Sequence, residues 1–184
     1  MQIAADVELS FPLERVFRTY RDRLPELTPY LPNIRSIEVK SRREQGGVVE
    51  LVNEWAGGAD IPKVARAVLS ESMLRWTDFA TWHESTFTCD WRTEVHAFPG
   101  AVMSSGRNVY IPTERGVRLE IRGDITCDAS KVPGVPRIFA RAVNGAVEKI
   151  LVGAIKPNLV AVAEGVGKLL EDEDEPRHIA LEPG

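Results

Sequence analysis

The feature that most constrains the fold of this chain is an alternation of apolar and polar residues with a period of two, which recurs along much of its length. Strands with one apolar and one polar face are typical of antiparallel sheets. Short glycine-containing connections at residues 45–47 and 99–100 are typical of β-hairpins rather than of helical crossovers. We therefore predict an antiparallel sheet. Its inward positions are predicted to be Ile3, Ala5, Val7, Leu9 and Phe11, then Ile37 and Val39, then Val49, Leu51 and Trp55, then Phe87, Cys89, Trp91, Thr93 and Val95, and finally Val117, Leu119, Ile121, Ile125 and Cys127.

Two short segments interrupt this alternation. Residues 12–23 begin with Pro12 and repeat apolar groups at helical spacing, which predicts a short helix. Three prolines between residues 25 and 32 limit the next stretch of chain to a turn or two of helix. Residues 60–70 offer Asp60 as a helix cap and Pro62 near the first turn, but a strand through residues 64–69 remains an alternative.

The longest predicted element is a helix from about Pro136 to Leu170, in which apolar residues recur every three or four positions. Pro157 lies inside it and is expected to kink it, because the proline ring crowds the carbonyl group four residues earlier. Residues 171–184 are acidic and contain proline, so we expect a flexible tail. No linker divides the preceding chain, and residues 1–170 are predicted to form a single domain.

Composition excludes several classes of protein. The chain has 43% hydrophobic and 27% charged residues and a net charge of −4, which is ordinary for a globular protein and does not favour nucleic acid binding. No apolar run is long enough for a membrane span, and the N-terminus lacks the basic region of a signal peptide. Two cysteines form no disulfide framework, and a Cys89–Cys127 bridge would require their strands to pair. We expect a cytoplasmic protein.

The order of these elements resembles a known superfamily. The run VELSFPLERVFRTYRD, a strand entering a proline-started helix with Val-Phe, is similar to the usual opening of the START-like, or SRPBCC, superfamily. The stretch ADIPKVARAVL before a tryptophan-bearing strand resembles its lipid-handling branch. The resemblance covers about residues 2–170. It implies an α+β helix-grip fold, in which a curved antiparallel β-sheet is wrapped around a long C-terminal α-helix, with short helices after the first strand.

In that superfamily a cavity lies between the sheet and the long helix, and the resemblance implies the same here. The inward sheet face mixes tryptophans with Asn53, Cys89, Thr93 and Gly123, a mixture that suits a ligand pocket better than a packed core. We expect a hydrophobic small molecule, such as a lipid, polyketide or isoprenoid-like compound, as the partner, with no cofactor and no metal. The expected ligand-binding residues are Trp55, Trp91, Met103, Tyr110, Phe139, Val143, Val147 and Ile150.

Metal-binding and catalytic functions have less support in the sequence than ligand binding. His83, Cys89, Asp90 and His96 are close in sequence, but Cys89 and Asp90 alternate to opposite strand faces and do not form a convergent metal site. Neither a nucleophile elbow nor a nucleotide-binding loop occurs. An enzyme similar to the cyclases or dehydratases of the superfamily remains an alternative to a non-catalytic carrier. Its candidate acid–base residues are Asp78, His83, Arg107 and Tyr110.

The tryptophans permit a third function. Trp76 and Trp82 share one face of their predicted strand and Phe79 takes the other, so aromatic groups occupy both faces. One face is expected to meet the core and the other to be covered by residues 60–70, by a protein partner or by transient contact with a membrane surface. A protein-interaction module that docks through Trp76 or Trp82 is therefore the third hypothesis. The oligomeric state is left open.

Overall fold

The computed structural model describes residues 1–58, 74–97, 99–131 and 137–175, and of residues 137–155 it describes the backbone only. The predicted helix or strand at residues 60–70 lies outside the described residues. The seven strands are β1 (Gln2–Leu9), β2 (Ile34–Gln45), β3 (Val48–Gly57), β4 (Arg75–His83), β5 (Thr88–Val95), β6 (Val102–Thr113) and β7 (Gly116–Cys127). The helices are α1 (Leu13–Asp22) and α2 (Arg137–Asp174), with short 3₁₀ segments at Leu24–Tyr30 and Ala129–Lys131.

The strands form one antiparallel sheet in the order β1-β7-β6-β5-β4-β3-β2. Strands β2 to β7 follow one another as a meander, as the hairpin signals predicted. Gly46 and Gly47 form the β2–β3 turn with positive φ angles of 59° and 77°, a conformation that residues with a Cβ rarely adopt. The chain passes from one edge strand, β1, to the other, β2, through α1 and the first 3₁₀ segment.

Helix α1 begins immediately after Pro12, as predicted, and buries one side against the sheet. Phe17, which is 1% exposed, packs edge-on against the rings of Trp82, Phe87 and Tyr110 at centroid distances of 5.1, 5.3 and 5.1 Å. Edge-to-face pairs of this kind add roughly 0.5–1.5 kcal/mol each to the effect of burial. This aromatic cluster fixes α1 over the middle of the sheet.

The predicted inward face of the sheet is confirmed for most positions. The apolar residues of β1 and β7, from Ile3 to Leu9 and from Val117 to Cys127, alternate between buried and exposed neighbours as the sequence indicated. Val39 is an exception, because it is 43% exposed on the edge strand β2, beside a register shift between Val39 and Ser41. Bulges of this kind bend a strand and redirect its side chains.

Helix α2 runs from Arg137 to Asp174, so it continues past residue 170, where the flexible tail was expected to begin. Ion pairs hold its acidic last turn. Arg15 contacts Asp174 at 2.8 Å, Arg23 contacts Glu173 at 2.5 Å, and the Tyr30 hydroxyl donates a hydrogen bond to Asp172 at 2.5 Å. The acidic composition of this segment predicts a flexible tail, but arginines from distant parts of the chain neutralise it and hold it in the helix. No helix in the described part of the chain has the length and apolar content that a membrane crossing requires.

Candidate functional site

A cavity of about 330 Å³ lies between the inner face of the sheet and helix α2. This volume falls at the lower end of the range of roughly 300–1,000 Å³ that ligand pockets occupy. The described part of α2 contributes Asn158, Leu159 and Val162 to the wall. The sheet contributes four tryptophans (Trp55, Trp76, Trp82 and Trp91), smaller apolar residues (Ile34, Leu51, Ala80, Cys89, Val95 and Val102) and the polar residues Asn53, Asp78, Thr93, Ser104 and Asn108.

One end of the sheet wall is formed by a stacked pair of indoles. Trp55 on β3 and Trp76 on β4 are direct neighbours in the strand register, and their rings lie 5.7 Å apart at 15° to one another. Trp55 is 7% exposed and Trp76 is half-buried. The two stacked rings therefore form a continuous aromatic part of the cavity wall.

Trp91 forms a second aromatic surface because the neighbouring strands carry glycine where it lies. A Cβ atom on Gly106 would come within 2.5 Å of the Trp91 ring, and one on Gly123 would come within 2.9 Å. The indole thus lies across β6 and β7, and its Nε1–H donates a hydrogen bond of 2.9 Å to the Asn108 side-chain oxygen. The two glycines and Asn108 together fix the ring against the sheet.

Polar side chains cross the inner face of the sheet in a single line, which we call the polar row: Asn53, Asp78, Thr93 and Ser104. They occupy neighbouring strands β3 to β6 and are direct partners in register. Asn53 Nδ2 donates to Asp78 at 3.0 Å, and the Thr93 and Ser104 hydroxyls share a hydrogen bond of 2.5 Å. Apolar rows flank it on both sides, one containing Trp55 and Trp76 and the other Ala80 and Trp91.

Asp78 is the titratable group most altered by the cavity. Burial raises its pKa from 3.8 to about 6, although the hydrogen bond from Asn53 acts in the opposite direction. The residue is only half-buried by surface area, and it contributes to the cavity wall. A carboxyl group in such an environment is a common feature of functional sites.

Among the described residues, three other ionisable groups line the cavity. Burial raises the pKa of the Cys89 thiol well above its ordinary value, so the thiol is protonated and unreactive. Burial likewise raises the pKa of Tyr20. Arg21 is committed elsewhere, because its guanidinium pairs with Asp22 at 2.8 Å and with Glu84 at 2.6 Å. Asp78 is therefore the one of these four that changes charge near neutral pH.

The structure distributes the predicted ligand-binding residues unevenly. Trp55 and Trp91 line the cavity. Met103 was expected there but is 39% exposed, because it alternates with the inward Val102 and Ser104 and points to the outer face of β6. Tyr110 is 3% exposed and belongs to the aromatic cluster around Phe17 rather than to the cavity wall. The side chains of Phe139, Val143, Val147 and Ile150 lie outside the described residues.

The predicted acid–base candidates do not converge. Only Asp78 lines the cavity. Arg107 and His83 both contact Asp90, at 2.6 and 3.3 Å, in an exposed or half-buried group on the outer face of the sheet. His96 contacts the Thr77 hydroxyl at 2.8 Å, and Cys89 faces inward, so the four residues considered for metal binding are divided between the two faces. Strand β6 lies between the strands of Cys89 and Cys127, which therefore do not pair.

Sequence reasoning missed Ser104 and Asn108. A signal was present, because Val102, Ser104, Gly106, Asn108 and Tyr110 alternate with more exposed residues along β6. The inward positions of β6 carry small and polar residues, so the alternation is not one of apolar and polar groups. Trp76 was noticed, but its strand face could not be assigned from the sequence.

Comparisons with solved structures identify the fold. Neither a protein-family model nor a curated protein matches the chain. The structure is similar to TTHA0849 from Thermus thermophilus, with a TM-score of 0.67 and 20% identity over 95% of this chain and 99% of that one. It is also similar to the Zhui aromatase/cyclase from Streptomyces sp. R1128, with a TM-score of 0.67 and 13% identity over 94% of each chain. Ara h 8.0201 gives a TM-score of 0.54 and 11% identity over 94% of this chain and 98% of that one.

The chain has the helix-grip fold. It is the fold of the START-like, or SRPBCC, superfamily, and the resemblance drawn from VELSFPLERVFRTYRD is confirmed at that level. The helix-grip architecture explains why the cavity lies where it does, since α2 closes one side of an open seven-stranded sheet.

Proposed function

We propose that this helix-grip protein binds a hydrophobic small molecule in the cavity between its sheet and α2. The observation that carries the proposal is the cavity itself, a space of about 330 Å³ walled by four tryptophans and a few polar groups. Ligand sites are typically concave and lined mainly by apolar and aromatic side chains with a few polar groups, as this cavity is. A ligand that filled it would cover the apolar surface of the indoles.

Burial of apolar ligand surface is the main source of affinity in this proposal. Each 100 Å² removed from water contributes about 2.5 kcal/mol before ordering costs are subtracted. The small volume favours a compact molecule, such as a bicyclic aromatic or a short isoprenoid-like compound, over a long-chain lipid. The indoles of the Trp55–Trp76 pair and of Trp91 favour a ligand with an aromatic body, because aromatic rings pack on one another in offset or edge-to-face arrangements.

A cyclase-like enzyme is the second candidate. The observation in its favour is Asp78, whose pKa of about 6 suits proton transfer near neutral pH, in the same cavity as Tyr20 and Cys89. The similarity to the Zhui aromatase/cyclase is one of fold, at 13% identity. Mass spectrometry of a bound polyketide after incubation separates the two functions. A carrier returns it unchanged, whereas a cyclase of the dehydrating kind returns a product that has lost water.

The docking hypothesis has less support. Trp82 is 2% exposed and packs against Phe17 and Tyr20, and Trp76 is stacked on Trp55 in the cavity wall. Neither indole is placed to dock a protein partner without opening the sheet face.

A matched pair of helix variants tests the carrier proposal. Leu159→Trp places a large ring in the cavity wall, whereas Lys156→Trp adds the same ring at an exposed position of the same helix. Titration calorimetry with naphthylmethanol is expected to detect binding to the natural protein and to Lys156→Trp, and at least a tenfold weaker affinity for Leu159→Trp. Equal binding by both variants would remove the cavity as the binding site.

A further inference from the structure

The polar row contains more hydrogen-bond acceptors than donors. Within the described part of the chain, Asp78 receives one hydrogen bond, from Asn53, and the side-chain oxygen of Asn53 has no partner. Thr93 and Ser104 share a single hydrogen bond, in which one hydroxyl donates and the other accepts, and neither is bonded to the carboxylate. An ionised carboxylate offers only acceptors. The row is therefore complementary to a group that donates hydrogen bonds.

No described cation neutralises Asp78. The ion pairs of the described residues do not include it, and Arg21, the arginine in the cavity wall, is bound to Asp22 and Glu84. A carboxylate that has one hydrogen bond and no ion pair in a largely apolar cavity wall is costly to the fold. A carboxyl group at this position is therefore better explained by a ligand than by the stability of the empty protein.

Asp78 lies between two apolar rows of the sheet, one on each side of it along β4. Along β4 it is two residues from Trp76 and two from Ala80, which is a distance of about 7 Å in each direction. The Trp55–Trp76 pair lies on one side and Trp91, the neighbour of Ala80, on the other. Tryptophan faces also attract cations, which adds to the attraction that the carboxylate exerts on an ammonium group.

From this arrangement we infer that the ligand carries a hydrogen-bond donor, an ammonium or a hydroxyl group, that binds Asp78 while its apolar body covers the tryptophans on either side. The inference rests on the proposed function and specifies its ligand class. With a pKa of about 6, Asp78 is mostly ionised at neutral pH and accepts from either donor. A ligand with a carboxylate at the same position is repelled.

Four probes with the same body and different head groups test the inference. Naphthylmethylamine, naphthylmethanol, ethylnaphthalene and naphthoic acid, all substituted at the same ring carbon, are titrated into the natural protein at neutral pH. A hydrogen bond to a charged group is expected to make the amine and the alcohol bind on the order of tenfold to a hundredfold tighter than ethylnaphthalene. Naphthoic acid is expected to bind most weakly. A further preference for the amine over the alcohol identifies the ligand head group as a cation, and a preference for the alcohol identifies it as a hydroxyl donor.

Variants of Asp78 show whether this residue causes the preference. Asp78→Leu is expected to bind all uncharged probes with similar affinity, and Asp78→Asn is expected to lose the advantage of the amine. Asp124→Asn is the matched control, because it removes the same charge from an exposed position on the outer face of β7 and is expected to change nothing.

Two outcomes would overturn the inference: ethylnaphthalene binding the natural protein as tightly as the amine and the alcohol, or a head-group preference that survives in Asp78→Leu. The first comparison needs no variant, so a folding failure of Asp78→Leu does not affect it. In both outcomes the cavity still binds an apolar body and the proposed function stands. Failure of all four probes to bind would remove the proposed function together with the inference.

Discussion

At the level of single residues, Asp78 links the cavity to the pH dependence of stability. Burial favours the protonated form of the carboxyl group. The stabilisation that this form gives to the folded protein is fully present below pH 4 and is lost as the pH rises through about 6. Asp78→Asn removes this dependence. At pH 8 the variant is expected to be more stable than the natural protein by on the order of 3 kcal/mol, since each pKa unit corresponds to about 1.36 kcal/mol.

Urea unfolding at a series of pH values measures this difference. The stability advantage of Asp78→Asn should shrink below pH 6 and disappear near pH 4, while Asp124→Asn serves again as the exposed control. A constant advantage across the whole range would show that the carboxyl group has an ordinary pKa and that the cavity does not perturb it.

The space beneath Trp91 gives a second prediction for single residues. Gly106→Ala places a Cβ against the Arg122 carbonyl oxygen and within 2.5 Å of the indole, so either the strand or the ring must move. We expect a loss of stability on the order of 1–3 kcal/mol, together with a shift of the Trp91 indole N–H resonance as its bond to Asn108 is disturbed. Ser105→Ala, exposed on the same strand, is the control. An unchanged indole resonance in Gly106→Ala would contradict the tight packing of the ring.

The sheet face of a single residue could be predicted from the sequence only in strands with a clear alternation of apolar and polar residues. Trp55 and Trp91 lie in segments with clear alternation, and both were correctly placed on the inward face. Met103 was expected on the inward face, but it lies at an outward position of β6, because the side of the sheet that a residue faces depends on its parity within the strand. Ser104 and Asn108 take the inward positions of β6, where polar groups are tolerated because a hydroxyl and an indole satisfy them.

At the level of elements, local patterns were sufficient to locate most helices and strands. Pro12 and the spacing of Val16, Phe17 and Tyr20 predicted α1, and its observed start agrees. The end of α2 was less predictable, because the bonds that hold its last turn come from Arg15, Arg23 and Tyr30, far away in the chain. A terminus fixed by such distant partners leaves no local signal.

Pro157 permits a prediction about α2. It is exposed within the helix and has no N–H to donate to the carbonyl of Gly153. Pro157→Ala restores a donor at this position and is expected to stabilise the protein by up to about 3 kcal/mol in chemical unfolding. Lys156→Ala, at the adjacent exposed position, controls for helix propensity. A destabilised Pro157→Ala would contradict this expectation.

At the scale of the whole molecule, the order of elements predicted the helix-grip architecture, but the volume of the cavity could not be predicted from the sequence. An interior void is the small difference between the volume that the sheet and helix enclose and the volume that their side chains fill. Trp91 illustrates the difficulty, because its ring occupies space left by glycines on β6 and β7 that are distant in sequence. The sequence resemblance implied a cavity, and only the packed structure supplied its volume and its polar row.

Binding in this cavity should be detectable as a property of the entire fold. A ligand that binds only the folded protein stabilises it by about 2.7 kcal/mol at a concentration of 100 times its dissociation constant. For a chain of this size, each kcal/mol raises Tm by roughly 2–4 °C, so naphthylmethanol at that concentration is expected to raise Tm by about 5–11 °C. Calorimetric melting of Lys156→Trp should show the same rise, whereas Leu159→Trp, with its cavity occupied, should show little at the same ligand concentration. An equal rise in both variants would place the bound molecule outside the cavity, because a ring at position 159 would then have displaced nothing.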